Sequence, residues 1–238
     1  MLACNILRCY YDFIHIIGTT VKSQLYLILS YIATGAYFIP ILIVLVKRVW
    51  YPVSFLLFAG YWLISGIINV LLLIPAVDIR ITEKITVIYN MLDIPMVFGV
   101  IYFTTQSSGV RKFVKGGGVG FIILEVINAC FRGLNSEALK YMLPIGLVLV
   151  LSVVTWEIIL YLRKLEYSRW ERRQIFIYAA FLFEYGTYII IYIFDYHLPE
   201  FYERVDNFII YYTSSVISTI IAICGFLIKD SNRKMQVV

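Results

Sequence analysis

Four acidic residues lie inside long apolar stretches of this 238-residue chain: Asp93, Glu125, Glu157 and Glu184. An acid at the centre of a membrane helix costs about 2.5–3.5 kcal/mol on insertion scales, so each one suggests a functional site. No Lys, Arg or His lies deep in these stretches to neutralise them. Such acids are held in the neutral form, bind a cation or line water.

The depth of each acid in its stretch separates the four. Asp93 and Glu184 fall near the middle of their stretches, and Glu125 is central in a shorter one. Glu157 falls near one end, where basic residues follow, so we expect it to form an ion pair or to extend its carboxylate to the membrane surface. Asp93, Glu125 and Glu184 are therefore the acids of a candidate intramembrane pocket.

Polar residues accompany these three acids at the spacing of one helical turn, which places them on the same helix face. The predicted ligand or ion pocket consists of Asp93, Glu125, Glu184, Asn90, Asn128 and Tyr188. Small and polar residues at this spacing also serve ordinary helix packing in lipid. A bundle core held by hydrogen bonds is therefore the alternative interpretation.

The composition determines which elements must carry these residues. Hydrophobic residues make up 61% of the chain, charged residues 15%, and the mean hydropathy is +0.85. A soluble protein carries about 25% charged residues, so a soluble enzyme, a disordered tail and a nucleic-acid binder are excluded. The chain is predicted to be an all-α polytopic membrane protein with no nucleic-acid partner.

Apolar runs long enough to cross the bilayer predict a bundle of seven transmembrane helices. The predicted spans are 25–46, 53–74, 85–104, 116–131, 142–162, 175–194 and 208–228, within a bundle of residues 25–229. Residues 1–24 are predicted to form an interfacial segment, and 230–238 a cytoplasmic tail. The fourth span is short and begins with Gly116–Gly118, and without it the orientation of everything downstream would reverse.

Basic residues supply the orientation. With seven spans and the N-terminus outside, most of the 20 Lys and Arg residues fall in the loops on the cytoplasmic side, as the positive-inside rule requires. The richest loop predicts a cytoplasmic contact with lipid or a protein partner through Arg163, Lys164, Arg169, Arg172 and Arg173. The alternative is that these residues only determine topology. The net charge of +5 is then an orientation signal.

Several familiar chemistries lack their motifs in the sequence. The seventh span contains no lysine for a retinal Schiff base, and the chain has no GxSxG, HExxH or Walker run. Four cysteines and two histidines form no metal-binding pattern, and the sequence leaves open whether Cys4 and Cys9 form a disulfide. We therefore expect no cofactor, no metal and no enzymatic activity.

Residues 88–93 (IYNMLD) and 183–187 (FEYGT) resemble motifs in the small uncharacterised seven-helix inner-membrane proteins of Bacteroidetes. The third span of that group carries an aromatic residue and Asn or His before an acid, and the sixth carries an aromatic-rich run with Tyr and Gly. Asp93 stands where that group has Glu, and Glu184 has no counterpart in its pattern. The resemblance implies a multi-pass protein of the inner (plasma) membrane and no particular activity.

Two functions remain after these exclusions. The first is a non-enzymatic, sensor-like or accessory subunit of a membrane complex, with a membrane-protein partner or an oligomer in the lipid bilayer. The second is a proton- or cation-coupled permease that uses the same acids as exchange sites. An enzyme acting on lipids inside the membrane is the weakest alternative, because no nucleophile and base are paired in the sequence.

Overall fold

The computed structural model describes residues 21–48, 53–74, 78–134, 136–164, 166, 168–197 and 204–228. Within these residues every regular element is an α-helix. Cys4 and Cys9, most of the expected interfacial segment and the expected cytoplasmic tail lie outside them.

Eight helices make up the described part of the chain. They are α1 (Val21–Ala36), α2 (Ile39–Val46), α3 (Val53–Leu73), α4 (Ile79–Thr104), α5 (Ser108–Arg132), α6 (Ser136–Leu162), α7 (Arg169–His197) and α8 (Arg204–Leu227). With α1 and α2 taken together, seven of these segments are long and apolar enough to cross a membrane. This confirms the predicted all-α fold with seven transmembrane helices, and the protein is an integral, multi-pass membrane protein.

The first span is interrupted where the sequence predicts one continuous helix. Backbone hydrogen bonding changes register at Tyr37 and Phe38, between α1 and α2. Pro40 lies in the first turn of α2, where a missing amide hydrogen costs little. Across from the break, a Cβ at Gly66 of α3 would lie 3.0 Å from Tyr37 Cβ. Glycine therefore allows α3 to pack closely against the interrupted segment.

The fourth span is longer than expected, because α5 begins at Ser108 rather than at Gly116. Ser107 has an extended backbone and caps the helix, since its hydroxyl accepts from the amide of Val110 at 3.4 Å. Gly116–Gly118 lie inside the helix and do not start it. A Cβ at Gly118 would be 3.4 Å from the Phe98 ring, so the missing side chain leaves room for α4.

Six of the spans form a closed ring, and α5 lies outside it. Going round the ring, the segment of α1 and α2 contacts α3, followed by α4, α6, α7 and α8, and α8 returns to the first segment. Helix α5 packs on α4 and α6 and is the least buried of the seven spans. Its outer surface is apolar from Val119 to Phe131, as a surface facing lipid requires.

The inside of the ring is aromatic between α3 and α7. The rings of Trp62 and Phe181 stack 5.2 Å apart, and Phe58 packs edge-on against Tyr178 at 5.7 Å. All four side chains are fully buried. Aromatic pairs of this geometry contribute about 0.5–1.5 kcal/mol each beyond their buried area. They pack α3 against α7 next to the polar centre described below.

One end of the bundle, here called the basic end, is where α2, α4, α6 and α8 finish and α3, α5 and α7 begin. Lys47 Nζ donates to the Leu227 carbonyl at 3.4 Å, and Arg173 Nε donates to the Ile228 carbonyl at 2.9 Å. These carbonyls lie at the C-terminus of α8, and the last carbonyls of a helix have no amide donor within the helix. Two cations therefore stabilise the negative end of the last helix.

Candidate functional site

Asp93 lies at the centre of the ring and is bound by two tyrosines from neighbouring helices. Tyr61 of α3 donates to Oδ1 at 3.1 Å, and Tyr185 of α7 donates to Oδ2 at 2.7 Å. The two tyrosine hydroxyls are themselves 3.1 Å apart. Each of the three side chains is buried. A single carboxyl group on α4 thus joins three helices by accepting one hydrogen bond from α3 and one from α7.

Asp93 is presented by a helix that has one backbone hydrogen bond fewer than normal. Pro95 follows two residues later and offers no amide hydrogen to the carbonyl of Met91. The helix nevertheless continues through Pro95 without a break. The effect of Pro95 on the backbone next to the acid is thus the loss of that one bond.

Ser65 extends the polar contacts along α3. Its hydroxyl donates to the carbonyl of Tyr61 at 3.1 Å and lies 2.8 Å from the hydroxyl of Tyr89. Because a serine has one hydrogen to donate, Tyr89 donates to Ser65 in this arrangement. Asn69 in turn donates to the Ser65 carbonyl at 2.9 Å. The polar stripe of α3 is therefore bonded mainly within its own helix, with Tyr89 as its link to α4.

Glu184 is the second buried acid of the ring, and it also accepts from hydroxyl groups. Tyr188 donates to Oε1 at 2.8 Å from one turn further along α7. Ser218 of α8 donates to Oε2 at 2.9 Å, or alternatively to the Ala180 carbonyl at 3.1 Å. Glu184 is only 1% exposed. This acid therefore connects α7 to α8, as Asp93 connects α7 to α3.

The two acids belong to one continuous centre. Glu184 and Tyr185 are neighbours on α7, and the carboxyl groups of Asp93 and Glu184 interact electrostatically. The ring of Tyr185 packs against Tyr188 at 5.6 Å, and Tyr188 stacks on Tyr211 of α8 at 5.5 Å. We call Asp93, Glu184, Tyr61, Tyr185, Tyr188 and Ser218 the carboxyl–tyrosine centre.

Two further donors lie beside this centre without completing a hydrogen bond to any described atom. They are the indole nitrogen of Trp62 and the hydroxyl of Tyr37. Both side chains are fully buried, and both lie within interaction range of Glu184. A buried donor without a partner costs about 1–3 kcal/mol. The centre thus contains hydrogen-bonding capacity that the present arrangement does not use.

The remaining residues of the predicted pocket lie around this centre. Glu125 is buried on α5, interacts electrostatically with Asp93 and has no hydrogen-bond partner among the described residues. Asn128 is half-buried one turn further along α5. Asn90 is half-buried on α4, and its amide nitrogen has no partner within the described part of the chain. Of the six predicted residues, Asp93, Glu184 and Tyr188 therefore belong to the carboxyl–tyrosine centre.

Sequence reasoning missed the partners of Asp93. Tyr61 and Tyr185 are two of 20 tyrosines in the chain. Tyr185 belongs to the run 183–187 noted above, but nothing in the local pattern of either tyrosine connects it with Asp93. Ser218 carried a weak signal, because it belongs to a run of serines on one face of α8. The hydrogen bonds depend on which helices are neighbours, and this information is not in the local spacing.

At the basic end, Glu157 bonds differently from the expectation. It is 2% exposed and accepts a hydrogen bond from the Thr105 hydroxyl, whereas the sequence suggested an ion pair with Arg163 or Lys164. Lys164 instead pairs with Glu171 and donates to Gln106 at 3.2 Å. The acid is thus satisfied inside the bundle and does not extend to the surface.

The five basic residues of the expected cytoplasmic contact fall into different environments. Arg163 and Arg172 are exposed. Lys164 is bound to Glu171, and Arg173 is buried with its guanidinium on the Ile228 carbonyl. The side chain of Arg169 lies outside the described part. Arg163 and Arg172 are therefore the described members that present a free cationic surface.

The chemistry of the centre is that of carboxyl groups held by hydroxyl groups. Within the described residues no group of three His, Cys, Asp or Glu side chains is placed to hold a metal ion. A protonated carboxyl can donate to a tyrosine oxygen, and an ionised one can accept from the tyrosine hydroxyl. The same residues can therefore hold both protonation states.

In comparisons with known proteins, the chain matches no family model, no curated protein and no solved structure.

Proposed function

We propose that this protein is a non-enzymatic, sensor-like or accessory component of an inner-membrane complex, and that the carboxyl–tyrosine centre is its responsive element. The observation that carries the proposal is the bonding of Asp93 to Tyr61 and Tyr185, which lie on two other helices. A change in the charge of this carboxyl alters contacts among α3, α4 and α7 together. The stimulus is a positively charged one that a carboxyl group recognises, of which the proton is the simplest.

The hydroxyl partners support a switching role over a purely structural one. A buried acid that only stabilises a fold is commonly paired with a cation, because breaking such a pair is expensive. Asp93 and Glu184 are bound by hydroxyl groups, and Trp62 and Tyr37 lie nearby as unused donors. Loss of a proton from Glu184 can therefore be compensated by new hydrogen bonds after a small movement of α3 or α1.

The route from the centre to a partner runs along α7. Tyr185 and Glu184 lie near its middle, and Arg172 is exposed near its start at the basic end. The segments that connect the described helices are too short to fold as soluble domains. A displacement of α7 would therefore be transmitted to a partner that contacts the basic end, which we propose to be the cytoplasmic side.

The test measures movement of the basic end as the pH changes. The chain is reconstituted in lipid nanodiscs, and hydrogen–deuterium exchange is followed in the segment around Glu166 between pH 5 and pH 8. We expect a pH-dependent change in protection that Asp93→Asn and Glu184→Gln each reduce strongly. Glu166→Gln, which removes an exposed acid in the same loop, is the matched control and should retain the change. An identical pH response in wild type and both variants would contradict the proposal.

A proton- or cation-coupled permease is the second candidate, and Glu125 is the observation that favours it. This acid is buried on the peripheral α5, has no hydrogen-bond partner among the described residues and interacts with Asp93. Glu125, Asp93 and Glu184 thus provide acids on three spans, as an exchange path requires. In proteoliposomes with an imposed pH gradient, ion flux that Asp93→Asn abolishes would support the permease. A pH-dependent movement without flux would support the sensor.

A further inference from the structure

A groove lies on the lipid-facing side of the bundle between α5 and α6, towards the basic end. Its volume is about 490 Å³, which falls within the roughly 300–1,000 Å³ of typical small-molecule sites. The residues that form its walls include Gly109, Val110 and Phe113 of α5, and Ser152, Trp156 and Leu160 of α6. Phe113 and Trp156 are 52% and 57% exposed. The groove is thus an apolar surface that opens to the bilayer.

On the α5 side of the groove, glycines leave the helix surface without side chains that would fill it. Gly109, Phe113 and Gly116 follow one another at the spacing of a helix face. A Cβ added at Gly116 would meet nothing within 4 Å, so no described side chain covers this position. The groove therefore continues along α5 towards the middle of the membrane, in the direction that an acyl chain runs.

Positive charge lies next to this groove at the basic end. Arg163 follows Trp156 and Leu160 at the spacing of one helix face, is exposed and has no hydrogen bond or ion pair from its side chain to any described residue. On the α5 side, Arg111 and Lys112 are exposed in the first turns of the helix. Arg111 donates to the Thr105 carbonyl at 2.7 Å, which holds its guanidinium next to the end of α4.

The acidic residues nearby leave this charge largely uncompensated. Glu157 is buried and bonded to Thr105, and Glu171 is paired with Lys164. Glu166 is exposed in the loop between α6 and α7. The end of the groove therefore presents the free guanidinium of Arg163 next to an apolar surface. This combination matches a negatively charged headgroup joined to hydrocarbon.

We propose that the groove between α5 and α6 binds one anionic phospholipid from the leaflet at the basic end. An acyl chain lies along Trp156, Phe113 and the glycine face of α5, and the phosphate lies against Arg163. A guanidinium is suited to this role because it offers paired donors to phosphate oxygens. The groove opens within the membrane-spanning part of the chain, so its occupant enters from the bilayer.

The test uses Trp156 as a reporter inside the groove. The chain has four tryptophans, so the difference in fluorescence between wild type and Trp156→Phe isolates the signal of this one. The protein is placed in nanodiscs that contain the same mole fraction of acyl-brominated phosphatidylglycerol or acyl-brominated phosphatidylcholine. We expect bromine on the anionic lipid to quench Trp156 with an apparent preference of about fivefold, the factor that one basic residue near a membrane surface contributes.

Matched variants separate a specific site from general attraction of anionic lipid. Arg163→Gln should remove the preference, whereas Arg172→Gln, which neutralises an exposed arginine of α7 at the same end, should retain it. Equal quenching by the two lipids would overturn the proposal, and so would an equal loss in both variants. Protection of Trp156 from both lipids would assign the groove to a second copy of the chain and would also overturn it.

Discussion

The partner of a buried acid determines what that acid can do. A lysine or arginine next to Asp93 would hold the carboxyl ionised, because leaving a cation unpaired in the membrane is expensive. Tyr61 and Tyr185 impose no such choice, since a hydroxyl both donates and accepts. The contacts of Asp93 can therefore persist across a change of charge while their strengths and lengths change.

Removing one hydroxyl from this centre should reveal its contribution to stability. Tyr185→Phe retains the ring but leaves Oδ2 of Asp93 without its donor at 2.7 Å. Because the carboxyl is buried, we expect a loss of about 1–3 kcal/mol in the free energy of unfolding. Unfolding by denaturant in mixed micelles, followed by circular dichroism, measures this change.

Tyr31→Phe is the control for this substitution. Tyr31 is 62% exposed on the lipid-facing side of α1, so loss of its hydroxyl should change the free energy of unfolding by less than about 0.5 kcal/mol. If Tyr185→Phe changed the free energy of unfolding as little as Tyr31→Phe does, the hydrogen bond to Asp93 would contribute nothing measurable to the stability of the fold.

At the scale of the helices, the sequence predicts that a helix is present better than it predicts where the helix begins and ends or which helices pack against it. The long apolar runs identify all seven spans, because a helix in lipid must be apolar over its whole length. The sequence places the start of the fourth span at Gly116, because three glycines weaken a helix in water, whereas α5 begins at Ser108. Inside the bundle Gly117 and Gly118 are tolerated because they pack against Phe98. Pro40 is the residue in the sequence that indicates the break at Tyr37 and Phe38.

The carboxyl–tyrosine centre is likewise predictable from the sequence only in part. Spacing along single helices identified Asp93, Glu184 and Tyr188, because a turn of helix brings such residues to one face. The bonds of Asp93 to Tyr61 and Tyr185 cross between helices that are far apart in the chain. Helix adjacency depends on the packing of whole surfaces, so local spacing does not predict it.

The packing of α6 against α4 and α5 gives the prediction at this scale. A Cβ at Gly146 would lie 2.7 Å from Ile94 Cγ1 and 2.8 Å from Phe121 Cζ, both nearer than side chains tolerate. Gly146→Ala should therefore force these helices apart and lower the free energy of unfolding by about 1–3 kcal/mol. The same denaturant unfolding experiment measures it.

Gly120→Ala is the matched control on α5. A Cβ at Gly120 would meet nothing within 4 Å, so alanine there should be neutral or stabilising by up to about 1 kcal/mol, its advantage in helix propensity. A Gly146→Ala protein as stable as Gly120→Ala would mean that α6 does not approach α4 and α5 this closely.

For the whole molecule, the two ends of the bundle differ in chemistry. The basic end contains the cations that cap α8, the pair of Lys164 with Glu171 and the exposed Arg163 and Arg172. At the opposite end, Arg132 stacks on the ring of Tyr141 at 4.1 Å and Tyr192 donates to the Lys140 carbonyl at 3.0 Å. Positive charge in short loops is retained on the cytoplasmic side during insertion. We therefore propose that the basic end faces the cytoplasm and that the N-terminus is outside.

Site-directed labelling tests this orientation with one cysteine at each end. Asp78→Cys and Glu166→Cys place thiols at two exposed positions on opposite ends of the bundle, each in a chain whose four native cysteines are replaced by serine. In sealed right-side-out vesicles, a membrane-impermeant maleimide should label position 78 and should reach position 166 only after the membrane is opened. A permeant maleimide should label both and so controls for reactivity. Labelling of position 166 but not 78 in sealed vesicles would reverse the orientation, and with it the leaflet from which the groove between α5 and α6 takes its lipid.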